Sequence, residues 1–395
     1  SMGSELLING QPLSRIAARV GSTPFYAYDR SLLDRRVGEL RAALPQGLKL
    51  HYAMKANPMP AVVAHMARLV DGIDVASAGE LKVALDAGAD PHEVSFAGPG
   101  KRDPELLQAV AAGVLVNVES ARELAVLQRA SEQLGLPARV ALRVNPDFEL
   151  KGSGMKMGGG PKQFGVDVEQ VPAVLAEMRE RGLQFEGFHL FAGSQNLKPE
   201  SICEAQQKSY ELALRLIEGS ALPLRFLNLG GGFGIPYFPG EQRVDLAPLG
   251  ANLAALQERA RREMPEAELV IELGRYLVGE AGVYVTRVVD KKVSRGHTYL
   301  VCDGGLNHHL SASGNFGQVI RKNYPATVGN RQGQATEVVS AVGPLCTPLD
   351  LLADKMALPQ AEIGDLVVIF QSGAYGASAS PAAFLGHPAV TEVLI

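Results

Sequence analysis

The feature that most limits what this chain can become is a rhythm. Short apolar, β-branched segments recur about every 20 to 40 residues: LKLHYAMKA (48–56), IDVAS (73–77), VSFAGP (94–99), VLVNVE (114–119), RVALRVN (139–145), FEGFHLFAG (185–193), RFLNLGGG (225–232) and LVIELGR (269–275). Between them lie stretches with helical spacing, such as PAVVAHMARLV, AGELKVALDAG, DPELLQAVAAG, SARELAVLQRASEQLG and VPAVLAEMRERG, with longer ones over 199–218 and 246–264. Strands alternating with helices mean βαβ units and a parallel sheet. Eight units over about 230 residues match the count and size of an α/β fold of the (β/α)8 TIM-barrel type. A doubly wound open sheet would normally carry GxGxxG in its first βα turn, and none is there.

After about residue 278 the texture changes. VYVTRVVDKKV, HTYLVCDGG, TEVVSAVGPLC, GDLVVIF and AVTEVLI read as strands with turn residues between them. The expected organisation is therefore a tag remnant (SMGS, 1–4), an N-terminal segment 5–28 whose TPFYAY joins a β domain, a barrel over 29–277, and a C-terminal antiparallel β domain over 278–395. LKGSGMKMGGGPKQFG (150–165) reads as a long glycine-rich loop after the fifth strand, and loops of that length in a compact domain tend to be functional.

Composition narrows the class. A net charge of −4 gives no electrostatic case for nucleic acid or an anionic membrane surface. No apolar run approaches the roughly 20 residues of a membrane span, and the N-terminus lacks the basic and apolar regions of a signal peptide. Cys203, Cys302 and Cys346 lie too far apart for a CxxC site or a disulfide framework, which fits a reducing cytoplasm. His308-His309 is the only paired histidine, and no HExxH or Cys/His spacing supports a metal site. Phosphate-loop and GxSxG signatures are also missing.

In a barrel, chemistry sits at the C-terminal ends of the strands. The first expected strand ends in Lys55, the second in Asp74 to Ser77, and the sixth in His189, followed by Gly193-Ser194. The seventh ends in Gly230-Gly231-Gly232 and the eighth in Glu272 to Arg275, with Gly274 between. An amine in an inside strand is costly unless it has a job. Singly, each of these residues has a plain structural explanation. Together they ask for a ligand with a phosphate, an aromatic ring and an electrophilic carbon, and pyridoxal phosphate has all three. Its aldehyde forms a Schiff base with a lysine whose pKa is lowered by burial and neighbouring charge. Glycine backbone N–H groups and an arginine suit the phosphate. A carboxylate facing the pyridine nitrogen keeps it protonated, and an imidazole stacks on the ring face.

With those residues in place, the chain resembles the fold-type III pyridoxal-phosphate-dependent amino-acid decarboxylases, the group of diaminopimelate, ornithine and arginine decarboxylases. The resemblance runs in order through YAMKAN, DVASAGEL, FHLFAGS, LNLGGGFG, ELGR, CDGG, GPLCTPLD and GAYG. It implies that Lys55 holds the cofactor as an aldimine, His189 stacks on it, Glu272 pairs with the ring nitrogen, and Asp74 and Gly274 belong to the cofactor site. Ser194, Gly230, Gly231, Gly232, Arg275 and Tyr375 would bind the phosphate. It further implies a head-to-tail homodimer with shared active sites. There Cys346 of the partner would protonate Cα after carbon dioxide leaves a quinonoid, and Asp303, Thr347 and Asp350 would face the substrate's distal end.

The departures bear on substrate. Where diaminopimelate decarboxylases follow the cysteine with glutamate and ornithine decarboxylases with aspartate, this chain has Thr347, which offers no charge to a distal ammonium. The stretch after CDGG also lacks the Arg-Pro…Tyr arrangement expected for diaminopimelate's second carboxylate. ELGR replaces the usual EPGR, which alters turn stiffness and removes no chemical group. LNHHLSASGNFGQ with GPLCTPLD is similar to a bacterial subgroup that includes a decarboxylase of glutamate tethered to an acyl carrier protein and an exosortase-associated type. The reading is an α-decarboxylase of an amino acid or a modified, possibly carrier-bound, derivative. The alternatives are a pyridoxal-phosphate racemase, disfavoured because such enzymes usually face the ring nitrogen with arginine, and a non-catalytic pyridoxal-phosphate-binding regulator.

Overall fold

A computed structural model describes residues 5–148, 160–190, 193–220 and 222–395. The chain divides into two compact units: residues 36–235 with 242–276, and a second unit of the segment up to Arg35, Pro236–Glu241 and Leu277–Ile395. The first long strand, β1 (Phe25–Tyr28), belongs to the second unit.

The first unit is a closed barrel of eight parallel strands: β2 (Lys49–Ala53), β3 (Gly72–Val75), β4 (Val94–Phe96), β5 (Leu115–Val118), β6 (Arg139–Asn145), β7 (Gln184–His189), β8 (Phe226–Gly231) and β9 (Glu268–Leu273). β7 bonds to both β6 and β8, and β9 bonds back to β2, which closes the ring. Each of the seven connections carries a helix, as the spacing of the apolar residues predicts. Local chemistry sets their ends. Pro60 stands in the first turn of Pro60–Leu69, Ser77 Oγ accepts the Glu80 N–H at 3.1 Å, and Gly113 and Gly135 take left-handed conformations at two C-termini. In Ala121–Leu134 the buried Leu124, Leu127 and Ala130 form the stripe that packs inward.

Register places the chemistry. Side chains alternate along a strand, so His51 and Ala53 of β2 share one face. Glu272 pairs with His51 and Asp74 with both Ala53 and Ser95, so all of them lie on that face, while Leu50 and Tyr52 point the other way into the helix layer. Two close approaches demand glycine. A Cβ on Gly187 would lie 1.6 Å from the carbonyl oxygen of Phe226, and one on Gly231 would lie 1.9 Å from that of Glu272. Gly187 also marks a register shift between β7 and β6.

The second unit is built on β1, which pairs antiparallel with β10 (Gly282–Ser294) and parallel with β16 (Thr391–Leu394). β10 runs on to pair antiparallel with β11 (His297–Cys302) and β15 (Leu366–Ile369), and β15 pairs with β12 (Ala326–Val328). β13 (Thr336–Val342) lies parallel to β11 and antiparallel to β14 (Leu351–Pro359). The sheet is mainly antiparallel, as expected, with parallel pairings of β11 with β13 and of β1 with β16. The N-terminal strand does enter it, and Phe25 and Ala27 pack with Leu13, Ile16, Val283, Val285, Leu366 and Val368. Residues 29–35 and 236–241 also group with this unit, where the sequence places them in the barrel. Tyr237 packs on Tyr324 at 4.8 Å, and Gln371 donates to Pro236 O at 2.7 Å.

Gly187→Ala is expected to cost about 3 kcal/mol or more, since backbone is what its methyl would strike. Urea melts of the variant against wild type measure it, and an unchanged midpoint would contradict the register described here.

Candidate active site

A cavity of about 490 Å³ opens at the C-terminal mouth of the barrel. Ala53, Lys55, Asp74, Glu80, Arg143, Asn145, His189 and Glu272 line it, with Gly98, Gly193 and the 162–164 segment. Of the expected residues, Lys55, Asp74, His189 and Glu272 meet here. Lys55 is not inside a strand. β2 ends at Ala53, and Lys55 sits on the single 3₁₀ turn Met54–Ala56 that follows, with its side chain exposed. The expectation that the strand runs to Lys55 is thus corrected: a turn follows Ala53, and it presents Lys55 to the cavity at the barrel mouth.

Below the amine is a polar layer. Asp74 Oδ1 accepts from His51 Nδ1 and from Ser95 Oγ, both at 2.7 Å. Asn228 Nδ2 donates to Glu272 Oε2 at 3.2 Å, and His189 Nε2 lies 3.4 Å from the same oxygen. Burial, with Asp74 adding like charge, pushes Glu272 up to about 7. Burial opposes ionisation of Asp74 most, but the His51 ring, Glu272 and the Ser95 hydroxyl together outweigh it and hold that carboxyl below its ordinary range. Burial pushes His189 down to about 4; Glu272 opposes this, while Arg143 and Lys55 add to it. Neither His189 ring nitrogen has a hydrogen-bond partner among the described residues. The result is a neutral, flat ring beside a carboxyl that exchanges its proton near neutral pH.

Sequence reasoning did not single out Arg143, Glu80, Asn145 or Asn228. Arg143 lies in the second half of the RVALRVN strand, with its guanidinium over Phe164 at 4.9 Å and 3.4 Å from Glu119 Oε1. Glu119 also accepts the N–H groups of Gly98 and of Gly165, which ties two lining loops together. Period-2 alternation within β6 and β8 was the available signal for Arg143 and Asn228. The phosphate-binding expectations fare unevenly. Ser194, Gly230, Gly231, Gly232, Gly274 and Arg275 are not among the residues that line this cavity. The Gly230 N–H already donates to Asn228 Oδ1 at 2.8 Å, so that amide is not on offer. Residues 150–159 of the glycine-rich loop lie outside the described residues.

Cys346, Thr347, Asp303, Asp350 and Tyr375 belong to the second unit. Cys346 is exposed, and Tyr375 is half-buried with φ 53°. Two residues expected at the substrate, Asp350 and Asp303, also have partners within the fold. Asp350 is buried between Gly305 and Gly343, and its oxygens accept the Leu306 and Leu345 N–H groups at 2.7 and 2.9 Å. Asp303 accepts from Thr286 Oγ1 at 2.7 Å, the Arg287 N–H at 2.8 Å and Thr23 Oγ1 at 2.5 Å. Carboxylates that bind backbone and hydroxyl donors this fully anchor turns. The Thr347 hydroxyl accepts from the Leu349 N–H at 3.3 Å.

The donor set fits pyridoxal phosphate: an accessible amine, a neutral ring with unpartnered nitrogens, and a carboxyl able to hold a proton share one cavity. A barrel with that rim defines a lysine-anchored pyridoxal enzyme. The pyridoxal-binding domain of the pyridoxal-dependent decarboxylases matches residues 30–279. The chain is 38% identical to the L-glutamyl-[BtrI acyl-carrier protein] decarboxylase of Niallia circulans over 94% of its own length and 88% of that protein's. It is 32% identical to the diaminopimelate decarboxylase of Aquifex aeolicus over 99% and 90%. The crystal structure of diaminopimelate decarboxylase from M. jannaschii in complex with L-lysine superposes with a TM-score of 0.90 at 26% identity, covering 100% of this chain and 92% of that one. The chain belongs to the pyridoxal-dependent decarboxylases, and pyridoxal phosphate is its cofactor.

The two shifted groups give opposite pH slopes. His189, depressed in the folded state, adds stability above its unfolded pKa that is lost as pH falls from about 6.5 through about 4. Glu272, raised in the folded state, adds stability below its unfolded pKa that is lost as pH rises from about 4.5 through about 7. Urea midpoints measured from pH 4 to 8 in the cofactor-free protein should therefore show that His189→Asn and Glu272→Gln change the slope in opposite directions. Slopes changing the same way would contradict these assignments.

Proposed function

We propose that this enzyme removes the α-carboxylate of an amino acid whose distal end carries no free ammonium, as in glutamate joined to a carrier protein. The observation that carries the reading is the pairing of Lys55 with Glu272, an acid and not an arginine, in one cavity. Thr347 supports the substrate side, because nothing at that position would answer a distal positive charge. The 38% identity to a relative named for a carrier-bound glutamyl substrate supports it further.

When bound, the cofactor supplies an aldehyde carbon that links to amines and a ring that takes up the electron pair left at Cα. Lys55 Nζ is the nucleophile that anchors it covalently, and the exposed turn lets that amine leave and return as substrate enters and product departs. Glu272, fixed by Asn228, holds the proton at the ring nitrogen. His189, kept neutral by burial, would stack on the cofactor's ring without placing a charge there. We extend the reading to a cytoplasmic homodimer in which Cys346 Sγ of one chain delivers a proton to Cα at the other chain's barrel, and in which Ser194, Arg275 and Tyr375 hold the phosphate. Among the described residues no helix is long and apolar enough to cross a membrane.

Two measurements test this. Carboxyl-labelled substrates should release labelled carbon dioxide, with carrier-bound glutamate turned over and free diamino acids refused. Inversion at Cα without carbon dioxide release would establish a racemase instead. Lys55→Ala and Cys346→Ala should each be inactive and regain activity when mixed. Failure of the mixture to recover would contradict the shared site.

A further inference from the structure

His51 lies on the barrel interior, one residue pair from the cavity floor, and no role has yet been given to it. In the register its neighbours are Gly72 on one side and Glu272 on the other. Gly72 makes the space: a Cβ there would sit 2.6 Å from His51 Nε2 and 2.4 Å from the Glu93 carbonyl oxygen. The ring is 2% exposed, its Nδ1 bonds to Asp74 Oδ1, and Phe226 lies 6.2 Å away. Asp74 and Glu272 both line the cavity on this inner face, so an imidazole and two carboxylates are grouped across β2, β3 and β9.

Two carboxylates grouped on one largely buried face oppose each other's ionisation unless a cation stands beside them. We propose that His51 is that cation, a positioning residue whose imidazolium keeps Asp74 ionised and so confines the pair's exchangeable proton to Glu272, the member that lines the cavity beside Lys55. This inference rests on the proposed role of Glu272 at the ring nitrogen. Without the charge on His51, the proton would be shared between the two carboxyls, and Glu272 would present a mixture of states to the cofactor. The surrounding groups agree on direction. Burial works against a charged His51, but Asp74, Glu272 and Glu93 together raise its pKa above the ordinary value. Glu272 is faced by Asp74 from β3, by His189 from β7, by Asn228 from β8 and by Lys55 from the turn after β2.

The test is selective NMR on the full chain before and after addition of pyridoxal phosphate. In ¹⁵N-histidine protein at pH 7, both His51 nitrogens should carry protons; a neutral His51 would overturn the proposal on the wild-type protein alone. In ¹³C-carboxyl-labelled protein, His51→Gln should raise the Asp74 titration by about one pH unit or more, because the amide keeps a hydrogen bond to Asp74 and removes the charge. An unchanged Asp74 titration in His51→Gln would mean a packing role only and would also overturn it. Neither readout depends on turnover, so a failure here is distinct from a failure to release carbon dioxide.

Discussion

Asp74 and Glu272 share the largely buried inner face of the barrel at the cavity floor, and much of the site follows from keeping two acids there. A carboxylate loses a large hydration energy on entering such a space, so each needs a partner. Asp74 has the His51 ring and the Ser95 hydroxyl; Glu272 has Asn228 and remains near the point of protonation. That unequal division turns a buried pair into one fixed anion and one proton-holding group. The close approaches serve it as well. Gly231 lets β8 come against the Glu272 backbone, and Gly72 admits the His51 ring.

The second unit handles its polar groups differently. Asp303, Asp350, His308 and His309 are all taken up by local partners. His308 meets Tyr284 Oη at 3.0 Å and Pro388 O at 2.9 Å, and His309 meets Ser372 Oγ at 2.8 Å. Burial pushes His309 down to about 3, so both rings act as neutral braces under the 306–318 segment. What stays exposed is the short turn bearing Cys346. The Cys346 thiol is exposed on a turn that Asp350 braces through the Leu345 N–H.

Much of this was legible in the sequence because period and spacing encode it. Eight β-branched segments, each followed by helical spacing, leave few folds other than the closed barrel, and the rim residues follow from strand ends. Lys55 was read as a strand residue because YAMKAN is apolar enough to extend the strand, whereas the chain turns at Met54. The parallel pairings in the second unit were not legible, since strand direction depends on partners far apart in sequence. The strand Leu351–Pro359 escaped notice because its exposed and buried residues do not alternate. The fold partners of Asp303 and Asp350 were not legible, because a motif records which residues recur and not where their oxygens point. His51 was visible from the start, in the same ten residues as Lys55, but its charge depends on Asp74 and Glu272 on neighbouring strands.

The account stands or falls on Lys55 as the covalent anchor. Reducing the pyridoxal-phosphate-loaded protein with borohydride, digesting it and mapping the modified peptide by mass spectrometry addresses this directly. The account predicts a phosphopyridoxyl group on Lys55 alone. Labelling of a different lysine, or none, would contradict it.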